Sequence, residues 1–327
     1  MTGIYLPDIG GPALYAKELK DVWSEKGYSV KVKYFSSVEK ILPTGLRHLY
    51  FVFKSIFVWM QADVIVVLDT FSVGIGAFLL SYVFKKKYII RTGGDFLWEM
   101  YVERTGKKVL LKNFYNTEKN NFNRKEKIIF YLTSKVIARA SFVVFSTEWQ
   151  KNIWLTPYNL CLSKVHIVEN CYTKSTTDKQ YASKTFLGST RSLVWKNLDT
   201  LIDVFKDEEI LSQGLVLDTH KYPQDIFLEH IKKSYAVILV SLGDISPNMI
   251  LQAIKNNTPF IVTEEIGIKD RIKDIAIFVD PLDYSDIKKK ILWLNHKDNY
   301  EVQKQKIQQF TFTHSWEDIA RELLMLA

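Results

Sequence analysis

The chain has only two cysteines in 327 residues, Cys161 and Cys171, and neither stands in a pairing or metal-ligand pattern. A disulfide framework and a cysteine-built zinc module are thereby excluded as the basis of the fold, and two free thiols suit a reducing compartment. The opening MTGIYLPDIGGPALYAKELK lacks a basic segment followed by an apolar one, so no secretory leader is expected. Long apolar runs are missing too. The longest, around LYFVFKSIFVWM, is interrupted by Lys54 and is shorter than the roughly 20 residues that span a bilayer. A cytoplasmic location is therefore expected. The six histidines, His48, His166, His220, His230, His296 and His314, show no ligand spacing. No HExxH, cysteine pair or nucleophile elbow occurs, so metal-independent chemistry without a resident cofactor is expected.

What is present has the balance of a globular protein. Apolar residues make up 47% and charged residues 24%, which rules out a disordered or fibrous chain. The length exceeds what one core usually serves and suits two domains of about 150 residues each. Charge is uneven: residues 1–170 hold 24 Lys and Arg against 14 Asp and Glu, while residues 171–327 hold 20 against 22. The excess lies in KKK (85–87) and in RTGKKVLLKNFYNTEKNNFNRKEK (104–127). Such a half is either a solvated lysine surface or a face turned to something anionic. Basic and aromatic residues interleave in LRHLYFVFKSIFVW, which favours membrane headgroups or a lipid-phosphate acceptor. No nucleic-acid recognition motif accompanies the charge, so no nucleic-acid partner is expected.

Strands and helices then alternate. ADVIVVLDT (62–70), KYIIRTGG (87–94), SFVVFST (141–147) and KVHIVEN (164–170) read as strands, with helical spacing in TFSVGIGAFLLSYVF and from TEWQKNIW. The second half repeats the rhythm through KTFLGST, NLDTLIDVFK, LVLDTH, PQDIFLEHIKKS, YAVILVS, SPNMILQAIKNN, PFIVTEE, DRIKDI, IAIFVDP and DYSDIKKKILWLN. Continuous apolar strands joined by crossover helices predict parallel sheets covered on both faces. Two such series predict an α/β protein of two Rossmann-like, doubly wound domains facing a cleft. The boundary is expected near 171–183, in the polar CYTKSTTDKQYAS. Only GIYL precedes the turn PDIGGPA, so the leading strand is short or an upstream stretch is missing. Gly10-Gly11 opens a helix ending at Gly27. A glycine pair at a strand-to-helix turn is either tight-turn chemistry or a place where backbone N–H groups approach a phosphate.

Four segments, in order, carry a family resemblance. GGPALYAKELKDVWSEKGYSVKV resembles the opening loop and helix of the retaining glycosyltransferases of family 4, which have the GT-B fold. FLGSTRSLVWKNLDTLIDVF resembles their phosphate-binding segment, SYAVILVSLGDISPNMILQAIKNNTPFIV their donor-site strand, loop and helix, and HSWEDIARELL their terminal helix. The resemblance implies an acceptor domain over residues 1–172, with a terminal helix at 314–327 crossing back onto it. It also implies a nucleotide-sugar donor domain over 173–313.

It implies roles for individual residues as well. Lys196, in WKN, contacts the donor diphosphate. The family's arginine after the segment's glycine is Ser189 here, so Arg191 takes that charge or is a plain surface arginine. Asp244 faces the sugar hydroxyls, and Gln252 stands where the family has the glutamate that holds the ribose. An amide has one acceptor oxygen where a carboxylate has two, so Gln252 holds ribose through fewer charge-assisted bonds. Ser246 is expected as N-cap and Pro247 as first helical residue. The helix starts after Gly11 and Ser246 would assist the phosphates, and Gly10, Ser246 and Asn248 complete the donor set. Asp95, in RTGGDFLWE, is the candidate for contacting the acceptor or the transferred sugar. Asn170 is expected to serve structure, and Glu265 and Gly267 match a loop beyond the donor helix.

The implied activity is sugar transfer from a nucleoside-diphosphate-sugar to a glycan, lipid-linked or other acceptor, with retention of configuration. An anionic membrane surface is a candidate partner for the basic first domain, which makes the location cytoplasmic with peripheral association. A non-catalytic nucleotide-sugar-binding or scaffold relative is the alternative, favoured by Ser189, Asp244, Gln252 and the short leading strand. An epimerase would need an acid/base set that the sequence does not offer.

Overall fold

The computed structural model describes residues 1–8, 10–174, 181, 183–189 and 191–327. Two parallel sheets organise them into two compact units. The first comprises Met1–Leu97, Glu118–Cys171 and His314–Ala327, and the second Trp98–Thr117 and Tyr172–Thr313. Residues 98–117, assigned to the first domain on sequence, thus belong to the second unit. Of the expected boundary at 171–183, residues 175–180 and 182 lie outside the described residues.

In the first unit β1 (Val66–Val67), β2 (Ile89–Thr92), β3 (Phe142–Phe145) and β4 (Val165–Ile167) pair in that order, all parallel. The strand expected over 62–70 is only two residues long. Asp69 turns the chain immediately afterwards, because its carboxylate accepts the Phe71 N–H (3.0 Å), the Val73 N–H (3.1 Å) and the Ser72 hydroxyl (2.6 Å). Those bonds start the helix Ser72–Phe84. The leading strand is reduced to Met1 and Thr2. Thr2 bridges Tyr34 in parallel, and the Leu68 N–H donates to Met1 O at 2.9 Å. Below the sheet, Tyr15, Leu19, Leu68, Ile89, Val144, Ile319 and Leu323 form one core. The terminal helix Trp316–Leu324 enters it beside the helix Gly11–Glu25, where Trp23 Nε1 donates to Ala320 O (3.2 Å).

The second unit holds β5 (Thr185–Leu187), β6 (Val216–Asp218), β7 (Ala236–Leu239), β8 (Phe260–Thr263) and β9 (Ile277–Val279), in the order β6-β5-β7-β8-β9, again all parallel. Successive side chains enter opposite cores. Phe186, Ala236, Ile238 and Ile261 join Leu201, Ile287 and Ile291 on one face. Leu187, Val237, Leu239 and Val262 join Ile250, Ile254 and Ile272 on the other. A strand buried on both faces can be apolar throughout, which is why AVIL reads without alternation. No helix among the described residues is long and apolar enough to cross a membrane.

Candidate functional site

In the second unit the chain leaves the first strand, β5, to one side and the third, β7, to the other, so their carboxyl ends flank the point where the winding reverses. Ligands of open parallel sheets bind outside the strand ends at such a point. After β5 comes the loop of Gly188, Ser189 and Arg191, with Thr190 outside the described residues, then a turn of 3-10 helix, Val194–Lys196. Asn197 ends that turn in the left-handed region (φ 55°), which asparagine tolerates better than most residues. Its fully buried amide donates to Val240 O (3.2 Å) and Pro281 O (2.7 Å). The turn is thereby fastened to the ends of β7 and β9.

The loop after β7 lies on this turn: Leu242 N donates to Trp195 O at 2.8 Å. Gly243 is required there by close approach, since a Cβ would stand 2.5 Å from Leu111 Cβ and 3.2 Å from Trp98 Cη2. Asp244 follows, and its backbone is tied to the loop after β8. Its N–H donates to Glu265 O (2.9 Å), and its carbonyl accepts the Gly267 N–H (2.8 Å). Three loops, from β5, β7 and β8, therefore converge.

Lys196 and Asp244 meet where they converge. Lys196 Nζ donates to Asp244 Oδ2 at 2.5 Å, with 7% and 12% of the two side chains accessible. Ser241 Oγ donates to the same oxygen at 3.2 Å, and among the described residues Oδ1 carries no hydrogen bond. The ammonium stands 4.2 Å from the centroid of the Trp195 indole, and the exposed Arg191 guanidinium 5.9 Å from the same ring. Both lie within cation–π range. Arg191, Lys196 and Asp244 are thus brought together. Nearby, buried Glu265 pairs with Lys112 of the segment 98–117.

The helix after this loop runs Asn248–Lys255. Its N-cap is Pro247 and not Ser246, which lies one residue outside, so the capping expected of Ser246 is corrected. Pro247 O takes the N–H of Ile250 (3.0 Å), and no side chain caps the end. Ile250, Leu251, Ala253 and Ile254 are buried, which leaves exposed Asn248 and half-buried Gln252, four residues apart, on one outward face.

The first unit holds Gly10, Gly11 and Asp95. Gly10 is the N-cap of the helix Gly11–Glu25 in an extended conformation; a Cβ on it would lie 2.7 Å from Ile4 Cδ1. Asp95 is 1% exposed, and its Oδ2 accepts the Trp154 indole N–H at 2.7 Å. That geometry fastens Trp154 rather than presenting a carboxylate to solvent. Arg91, at the carboxyl end of β2, escaped the sequence reading. It is a buried guanidinium bonded to Asn170 Oδ1, 4.0 Å from the Tyr15 ring centroid, and among the described residues its Nε has no hydrogen-bond partner. Its signal was an arginine inside the apolar run KYIIRTGG. Ser241, Trp195 and Asn197 were also missed; their roles rest on contacts made only after folding.

No protein-family model matches the sequence, and no curated protein matches it. The two parallel-sheet units with their flanking helices have the GT-B architecture, and solved glycosyltransferases are among the structures similar to it. One is sucrose-phosphate synthase from Thermosynechococcus elongatus, 13% identical, with a TM-score of 0.70 over 97% of this chain and 92% of that one. HepE from Anabaena, solved with UDP and glucose, is 11% identical with a TM-score of 0.66 over 99% and 97%. The lipopolysaccharide outer core galactosyltransferase WaaB is 13% identical with a TM-score of 0.57 over 99% and 98%. Identities this low carry the fold alone.

Proposed function

We propose that the protein is a glycosyltransferase that moves a sugar from a nucleoside-diphosphate-sugar to a hydroxyl of a glycan or lipid-linked acceptor, with retention of configuration. The observation that carries this is the Lys196–Asp244 pair at the reversal of the second sheet, in the fold of the UDP-bound HepE. In this reading the Lys196 ammonium, which can donate three hydrogen bonds, gives one to Asp244 and the others to the diphosphate. Arg191, beside the same indole, adds the second charge. Asp244 Oδ1 receives a sugar hydroxyl, and Asn248 and Gln252 present amides to the ribose.

As the sugar C1–O bond to phosphate breaks, negative charge grows on the departing diphosphate, and cations fixed in advance stabilise it without reorganising. The acceptor oxygen bonds C1 from the same face, and its proton passes to the leaving phosphate oxygen. Neither a resident cofactor nor a protein nucleophile enters this scheme. Asp95, bonded to Trp154, is proposed to act through placement of its segment.

The test is incubation with a panel of nucleotide sugars, followed by release of free nucleoside diphosphate and by thermal shifts with uridine, guanosine and adenosine diphosphates. One of the three should raise the melting temperature by mass action. Absence of both binding and release would remove the proposal. A decayed donor-binding relative is the second reading, favoured by Gln252 in the ribose position. It expects a shift without release, and turnover gained on Gln252→Glu.

A further inference from the structure

The helix Thr44–Gln61 is apolar on two opposite faces. Its inner face, His48, Phe51, Ser55 and Trp59, is buried. It packs on the helix Ser72–Phe84 so closely that a Cβ at Gly76 would meet Phe51 Cδ1 at 2.7 Å. The outer face is Leu46, Leu49, Tyr50, Phe53, Phe57 and Met60. All six are exposed, Phe53 by 69% and Phe57 by 78%. At 3.6 residues per turn they fall within an arc of about 100°, centred opposite the buried stripe. No charged residue interrupts that arc. A surface helix ordinarily puts polar residues there, and a contiguous exposed apolar stripe marks a surface that meets something else.

Charge selects the occupant. Lys86 Nζ donates to Met60 O (3.0 Å) and Ala62 O (2.7 Å), which holds the basic run 85–87 at the carboxyl end of the stripe. Lys31 reaches Gln61 Oε1 at the same end (3.3 Å). Exposed Tyr82 and Val83 precede that run. From Ile41 to Leu68 the only carboxylate is Asp63. A second copy of this face would bring lysines against lysines. An anionic bilayer offers what both parts of the surface lack, phosphate headgroups for the rim and an acyl boundary for aromatic and aliphatic side chains. We propose that this face seats the first unit on an anionic lipid bilayer, with the stripe from Leu46 to Met60 in the interface and Lys31, Lys85, Lys86 and Lys87 over the headgroups. The docking is independent of the donor chemistry above, and its test reads binding instead of turnover.

The full chain is sedimented at low salt with phosphatidylcholine vesicles, with and without phosphatidylglycerol. Binding is expected with the anionic vesicles and not with phosphatidylcholine alone. Phe53→Ser/Phe57→Ser should weaken the partition at least about tenfold, since two exposed phenyl groups leave the interface. Lys85→Gln/Lys87→Gln should weaken it severalfold and flatten its salt dependence. All four positions are solvent-exposed, so melting temperatures should match the wild type and report that the variants fold. Wild type left in the supernatant would overturn the proposal, and so would binding indifferent to the phenylalanine substitutions. A dimer in sedimentation velocity that Phe53→Ser/Phe57→Ser dissociates, with no vesicle binding, would reassign the face to self-association.

Discussion

At the scale of single residues the Lys196–Asp244 pair decides most. Two charges this far from water attract strongly but have lost most of their hydration, so the pair matters chiefly when one member is missing. Lys196→Ala or Asp244→Ala should each cost about 3–5 kcal/mol in chemical denaturation, by leaving its partner buried and unpaired. The double variant Lys196→Met/Asp244→Leu should recover much of that. In the proposed reaction Lys196→Ala should lower kcat about 10²–10³-fold, the loss seen when one preorganised charge-stabilising donor is removed. A loss in the double variant equal to the sum of the two single losses would show that the two side chains do not couple. Gly243 gives a steric counterpart. An added Cβ meets Leu111 Cβ at 2.5 Å, and a Cβ cannot swing aside as a chain end can. Gly243→Ala should therefore destabilise by about 1–3 kcal/mol and displace the loop that carries Asp244. Unchanged stability and turnover would mean that the loop gives way at no cost.

At the scale of elements, legibility followed local signals. The strands β2, β3, β7 and β8 were readable because short apolar runs bounded by turns suit strands covered on both faces. Lys196 and Asp244 were readable one at a time, but their bond joins residues 48 apart and exists only once β5 and β7 lie side by side. The two faces of Thr44–Gln61 were hidden because both are apolar, so the sequence shows a run and no stripe. The shift of the N-cap from Ser246 to Pro247 is an error at an element end, where such readings are weakest. The terminal helix Trp316–Leu324 carries a clearer signal, Ser315 with Asp318 three residues on, and both halves of that capping box form. The Ser315 backbone N–H and hydroxyl, with Arg321 behind them, hold the Asp318 carboxyl at about 2, below its ordinary 3.8. A carboxyl whose pKa is lower in the folded chain stabilises above about 3.8, and the contribution fades as pH falls towards 2. Ser315→Ala should cost about 1 kcal/mol near neutral pH. Denaturation curves of variant and wild type should draw together between about pH 3.8 and 2. A gap that stays constant through that window would show that the cap is not what lowers the Asp318 pKa.

For the whole molecule, the same winding occurs twice with different dependence on chain order. The second sheet runs β6-β5-β7-β8-β9, and in the first the leading Met1–Thr2 pairs with Tyr34 on one side and the β1 segment on the other. Each unit is assembled from separated stretches of sequence, and the first closes only with the last fourteen residues, His314–Ala327. Ile319, Ala320 and Leu323 are fully buried there against Tyr15, Ala16 and Leu19. His314 Nδ1 lies 3.2 Å from Asn170 O and Nε2 3.1 Å from Glu322, which fixes the entry of the helix. Burial of one Ile or Leu stabilises by about 1.5–3 kcal/mol. Loss of Ile319 and Leu323 together therefore removes about 3–6 kcal/mol, a large share of the roughly 5–15 kcal/mol that holds a domain folded. Deleting residues 314–327 should split the calorimetric unfolding into two transitions. The first unit should melt early and the second, whose cores contain no residue of the deleted segment, should melt where it does in the full chain. Because Arg191, Lys196 and Asp244 all belong to the second unit, a nucleoside diphosphate that stabilises the full chain should still raise the later transition of the truncated one. If the deletion lowers both transitions together, or the diphosphate shift goes with the lost segment, the second unit does not hold the donor by itself.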